Sequence, residues 1–126
     1  MTFTIPGVPV PKPRMSQRDR WKLRPCVLAY RDFCDRALTA AGLRRKMRLS
    51  DPIIVTVTAY FGFPRSSALS VQRSLRNSPH TGRQDADNVL KAINDALFEN
   101  DHLVCKATVE KLWDDGHGPR VEVTIA

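Results

Sequence analysis

The sequence predicts an α+β domain of mixed α/β character, a single compact unit in which a small mixed sheet is packed by helices. A β-branched and aromatic run at residues 53–61 has the composition of a strand. Two other segments repeat their apolar residues at helical spacing. The elements follow one another as β-α-β-(α)-α-β-β, and a chain of 126 residues has room for one buried core rather than two, so residues 1–126 are taken as one domain.

The first element is short. Phe3-Thr-Ile-Pro-Gly-Val8 is apolar, and Pro6 lacks a ladder donor, which suits a sheet edge. Pro9, Pro11, Pro13 and the basic residues that follow as far as Arg24 read as an extended, mobile arm. Pro25 suits the first turn of a helix. Val27, Leu28, Phe33, Cys34, Ala37, Leu38 and Ala41 then form an apolar stripe that Gly42 ends, with Arg31, Asp32, Asp35 and Arg36 on the polar side.

A basic connection, residues 43–49, leads through Asp51-Pro52 to the strand at 53–61. Residues 62–83 are too many for a plain loop in a compact domain. A short helix over 67–76 fits within them, with Ser66 or Ser67 as its cap and Arg73 and Arg76 facing out. His80-Thr-Gly-Arg83 turns into a second amphipathic helix that runs to about Phe98. Residues 103–113 and 120–125 are two further strands. Between them Asp114-Asp-Gly-His-Gly-Pro119 is rich in turn formers, so the expected arrangement is an antiparallel C-terminal β-hairpin.

Composition narrows the function. Hydrophobic content of 42% and charged content of 26% are those of a globular protein, and no apolar run approaches the 18 or so residues of a membrane span. The three cysteines, Cys26, Cys34 and Cys105, form no C-x-x-C pair; they read as small, reduced core residues in a cytoplasmic protein. The net charge of +7 is unevenly spread: residues 1–80 carry 15 Lys/Arg against 4 Asp/Glu (+11), and residues 81–126 carry 5 against 9 (−4). A basic lobe suits a polyanion. Lys12, Arg14, Arg18, Arg20, Lys22 and Arg24, with Arg73 and Arg76, are the candidate DNA-phosphate contacts.

The acidic segment Asp85-Ala-Asp-Asn-Val-Leu-Lys-Ala-Ile-Asn-Asp95 sits inside this basic protein. An extended backbone would point Asp85 and Asp87 the same way. Val89, Leu90, Ile93, Ala96 and Leu97 form one helical stripe, while Asp87, Lys91 and Asp95 share the opposite face at i, i+4, i+8. Such carboxylates can hold a divalent cation that works on a phosphate. The same residues also fit capping by Asp85 or Asp87 and ordinary i, i+4 ion pairs, each worth a few tenths of a kcal/mol. His80, His102 and His117 lack metal-ligand spacing and read as surface or loop residues. Trp21 and Trp113 could stack on unpaired bases; for Trp113, at a strand end, packing is the plainer reading.

His80-Thr-Gly-Arg-Gln-Asp-Ala-Asp-Asn-Val-Leu-Lys-Ala-Ile-Asn-Asp-Ala-Leu97, followed by Asn100-Asp101-His-Leu-Val104, resembles the RusA-type Holliday junction resolvases. These crossover junction endodeoxyribonucleases of bacteria and prophages carry D-x-D-N-x-x-K-x-x-x-D-x-L, a short spacer and an acidic pair. Gly7-x-Pro-x-Pro-Lys12-x-Arg14, the helix with Tyr30, and Pro64-Arg-Ser-Ser also look like that family. One position departs: Asn100-Asp101 stands where the family has two aspartates, so only Asp101 is carried over as a carboxylate.

The resemblance implies a homodimeric, structure-specific hydrolase, dependent on Mg2+, that binds branched DNA and cuts four-way junctions symmetrically in recombination and repair. It implies Asp85, Asp87 and Asp101 as metal ligands, Lys91 as a catalytic cation, and Asp95 and Asn88 in support. Asp101 then has to fold back against the helix N-terminus. No membrane and no small-molecule cofactor are expected. The alternative is a non-catalytic basic nucleic-acid-binding protein of phage origin, whose acidic helix is a solvated or dimer-facing surface.

Overall fold

The computed structural model describes residues 1–17 and 24–126. Its elements are β1 (Thr2–Pro6), α1 (Pro25–Ala40), β2 (Ile53–Phe61), α2 (Leu69–Leu75), α3 (Ala86–Leu97), a 3-10 turn (Asp101–Leu103), β3 (Val104–Trp113) and β4 (Arg120–Ile125). The strands form one mixed sheet in the order β1-β4-β2-β3. The α+β expectation holds, and β2 has the predicted limits. Among the described residues no helix is long and apolar enough to cross a membrane.

The two C-terminal strands exist but do not form a hairpin. β3 pairs with β2 in parallel, β4 pairs with β2 antiparallel, and β2 lies between them. The reason lies in β2, the most continuously β-branched strand. At an edge it would leave a long apolar ladder unpaired, which is costly; in the centre both of its edges are satisfied. The connection of residues 114–119 arches over the end of β2, where the Asp114 N–H donates to the Phe61 carbonyl at 2.9 Å. The parallel β2–β3 pair needs a long crossover, which the helices between residues 62 and 103 provide. β1 is an edge strand, as Pro6 predicts.

One face of the sheet carries the core. Val55, Val57, Ala59 and Phe61 alternate inward along β2 and meet Val121, Val123 and Ile5. Against them pack Phe33 and Ala37 of α1 and Val89, Ala92, Ile93, Ala96 and Leu97 of α3. Val27 and Tyr30 of α1 are buried as well, whereas Leu28, placed on the stripe by the sequence, is exposed. Cys26 and Cys105 are exposed and so are not core residues, whereas the half-buried Cys34 packs against the core. α2 begins after Ala68 with no side-chain cap, in place of Ser66 or Ser67; it buries nothing, and Arg73 and Arg76 are exposed.

Two connections are built rather than loose. Arg120 donates to both carboxylate oxygens of Asp115 at 2.9 Å and to Glu122 at 3.0 Å, and lies over the Tyr60 ring at 3.9 Å. These bonds from Arg120 hold the Asp115 carboxyl well below the usual carboxylate range. At the other end of the sheet, residues 47–49 run beside the end of α3. The Met47 N–H donates to Leu97 at 2.7 Å, and Asn100 forms a two-way amide pair with the Leu49 backbone at 2.8 and 2.9 Å.

Candidate active site

α3 explains where the acidic residues lie. Its apolar stripe is fully buried apart from the half-buried Leu90, which forces the Asp87–Lys91–Asp95 face outward. Asp85 is the N-cap residue, yet its side chain makes no capping hydrogen bond. The helix begins at once with Ala86, so Asp85 and Asp87 occupy the cap and the first turn, not an extended pair. Both are exposed at the helix end that carries free N–H groups, which favours negative charge there, whether carboxylate or phosphate. The predicted ion pair is present: Lys91 Nζ lies 3.6 Å from Asp87, with both side chains largely exposed. An exposed pair is worth well under 1 kcal/mol, so neither group is committed to it.

The N-terminal segment is docked on this helix instead of moving freely. The Lys12 N–H donates to the Asn88 carbonyl at 3.1 Å, and Lys12 Nζ lies 3.5 Å from Asp95. The Arg24 guanidinium donates to the Arg14 carbonyl at 2.8 Å. A depression of about 480 Å³ lined by Lys12, Pro13, Arg14, Asn88 and Lys91 lies beside a second of about 370 Å³ that reaches Arg83, Gln84 and Asp85. Basic and acidic groups therefore share one shallow surface. Arg18, Arg20, Lys22 and Trp21 lie outside the described residues.

Asp95 is a tie. It accepts a hydrogen bond from the Tyr30 hydroxyl of α1 and meets Lys12, joining α1, α3 and the N-terminal segment. Burial first, and then this bond, push the Tyr30 phenol's pKa up, so it stays a donor. Asp95 thus positions the neighbourhood of Asn88 and Lys91.

Asp101 is not where the metal-site expectation needs it. Twelve helical residues separate Asp85 from the turn that contains Asp101, a length of about 18 Å. β3 then runs back along the domain, so the exposed Asp101 stays at the far end of α3. It does not fold back against the helix N-terminus. Among the described residues, no three His, Cys, Asp or Glu side chains are grouped to hold one ion. Asp85 and Asp87, both exposed at the start of α3, remain as the carboxylates available to a divalent cation, an ion that one or two carboxylates can hold while waters and phosphate oxygens complete its shell.

Some residues of this region gave little sequence signal. Lys111 of β3 donates to the carbonyls of Gly82, at 3.4 Å, and Gln84, fixing the loop that delivers Asp85. Residues 77–80 lie along the end of β3, with bonds of 2.9–3.2 Å between Ser78 or Asn77 and Trp113 and between His80 and Lys111. His80, read as a surface or loop residue, lies in the loop before α3 but is buried: it stacks on Phe61 at 4.2 Å and meets the edge of Trp113 at 4.4 Å. Burial, and then the Lys111 charge, hold its pKa below the usual histidine value. His102 and His117 are exposed, as expected.

A protein-family model described as Endodeoxyribonuclease RusA matches residues 6–126. No curated protein matches the chain.

Proposed function

Since the chain belongs to the RusA endodeoxyribonuclease family, we propose that it is a magnesium-dependent homodimer that resolves four-way DNA junctions by paired, symmetric phosphodiester cuts. The observation that carries this reading is the juxtaposition at the start of α3. Asp85 and Asp87 are exposed and uncommitted to capping, and Lys91, Lys12 and Arg14 line the surface beside them. Basic side chains and the free N–H groups of the helix end receive the DNA phosphate. Asp85 and Asp87 hold the cation. Once bound, a magnesium ion would acidify a water and neutralise charge developing on the phosphate.

Lys91 is freed from Asp87 when phosphate competes for it, and then stabilises the oxygen on which charge grows. Asp95 and Tyr30 keep Lys12 in place for the same phosphate. Asp101, at the far end of α3, joins the pair only from a second copy of the chain. A two-fold dimer supplies that copy and presents two sites to a substrate of near two-fold symmetry. In the cell this places the enzyme in DNA recombination and repair.

The test is cleavage of a synthetic four-way junction in magnesium and in EDTA, with Asp87→Asn alongside. Wild-type protein should cut only with magnesium. The variant should lose cleavage and keep junction affinity, since removing a negative charge does not weaken DNA contact. Parallel loss of binding would make Asp87 a structural residue. Junction binding without any wild-type cleavage would make the protein a binding protein only.

A further inference from the structure

A cleft of about 790 Å³ lies beyond the acidic site and takes no part in the chemistry just described. Its wall is a run of four rings. Phe61 stacks on His80, His80 meets Trp113 edge-on, and Trp113 stacks on Phe63 at 4.8 Å with the planes 6° apart. The inner rings, Phe61 and His80, are buried, while Trp113 and Phe63 are only half-buried. The His80 ring is fixed by the Gly82 N–H, which donates to Nδ1 at 3.3 Å, and a side chain at Gly82 would collide with it. Arg65, Asp114, Gln72 and Gln84 supply one cation, one carboxylate and two amides to the lining, and the carboxylate is already engaged by the N–H groups of Gly116 and Gly118. Gln84 immediately precedes Asp85.

We propose that this cleft holds a single unpaired nucleobase of the DNA strand being cut, stacked on the Phe63–Trp113 pair. The proposal rests on the reading of the chain as a nuclease of branched DNA. Four properties select this occupant. A flat aromatic pair accepts the π-face of any base. The amides of Gln72 and Gln84 offer donors and acceptors to a base edge. Arg65 offers a charge to the attached phosphate, in a protein of net charge +7. The volume is that of a small-ligand site, not of a groove for a duplex. Because Gln84 adjoins Asp85, a base held here belongs to a nucleotide close to the phosphate delivered to Asp85 and Asp87. An unpaired base exists at the branch point of a junction and not within a duplex, so the cleft ties cutting to the branch.

The experiment uses a duplex carrying one bulged 2-aminopurine, the same duplex with that base fully paired, and the full chain in EDTA. Binding should quench the bulged fluorophore and leave the paired one unchanged. Phe63→Leu, which keeps bulk but removes the ring, should weaken binding of the bulged duplex about 5- to 150-fold, the range for one lost base–aromatic stack. Its affinity for the paired duplex should match wild type, and Phe63→Trp should behave as wild type on both. Equal losses on both duplexes, or no difference between leucine and tryptophan at position 63, would overturn the proposal. Arg65→Ala, on an exposed side chain remote from the core, tests the same cleft if Phe63→Leu does not fold. It should lower affinity for the bulged duplex more than for the paired one, and equal effects would again overturn the proposal. Binding is read without cleavage, so an inactive wild-type protein would refute the nuclease reading and leave this result standing on its own.

Discussion

Asn100→Asp changes one amide nitrogen to an oxygen, and at this position that exchange should cost the fold up to about 2 kcal/mol at pH 7. The wild-type side chain accepts from the Leu49 N–H at 2.8 Å and donates to the Leu49 carbonyl at 2.9 Å. An aspartate keeps the first bond, which gains about 1 kcal/mol from its charge. It turns the second into a contact between two acceptors and strips a half-buried carbonyl of its partner, a loss of about 1–3 kcal/mol. The net penalty should appear as a lower urea midpoint with an unchanged slope. Acid should restore much of it, because a protonated carboxyl can donate to the Leu49 carbonyl. The folded-state pKa of the new group is therefore raised above its unfolded value, so its stabilising bond is present below the unfolded pKa, about 4, and is lost as pH rises. Urea titrations of both proteins at neutral pH and near pH 4 decide the matter. A variant more stable than wild type at pH 7, or a stability difference that does not shift in the variant's favour in acid, would refute the argument that Asn100 is chosen for its amide. Junction cleavage should survive the change, since the position serves as a latch.

If Asp101 acts from the partner subunit, mixing inactive Asp87→Asn and Asp101→Asn proteins should regenerate one intact site per mixed dimer. The expected product is a nicked junction, and a mixture as dead as its components would refute the shared site. Lys12→Ala and Arg14→Ala should each lower the slope of log K against log salt for junction binding by about 1. An unchanged slope would show that neither side chain reaches a phosphate. Asp115→Asn removes a carboxyl whose folded-state pKa Arg120 depresses, so its contribution is full above the unfolded pKa and falls as pH drops. The stability difference from wild type should thus be flat near neutrality and shrink below about pH 5, as read by thermal melts across pH.

Periodicity made much of the fold legible. Val55, Val57 and Ala59 alternate, and Val89, Ile93, Ala96 and Leu97 recur at helical spacing, because the apolar face that stabilises each element is written locally. Pairing is not written that way. The turn formers at residues 114–119 suit a hairpin as well as an arch, and only competition for the edges of β2 decides between them. The site divides similarly. Asp85, Asp87 and Lys91 are close because one helix end carries them, whereas the distance to Asp101 depends on how the chain leaves α3. The burial of His80 depends on Phe61 and Trp113, far apart in sequence, and Asn100 reads as a lost carboxylate until the Leu49 backbone is seen beside it.

The position of β4 has a consequence for how the molecule comes into being. Residues 120–125 lie between β1 and β2, so Thr2 waits for Thr124 before β1 has a neighbour, and Val57, which can pair with β3 first, waits for Val123 before its second edge is closed. During synthesis the apolar β2 segment leaves the ribosome with both of its edges open and keeps them so until more than forty later residues have been made. Helices α1 and α3 can form early from local contacts, but the sheet that flattens them into one layer closes last, over loops that span most of the chain. The basic half therefore emerges able to meet nucleic acid well before the acidic residues of α3 have a scaffold behind them. Docking of β4 between β1 and β2 completes the sheet against which α3 is packed.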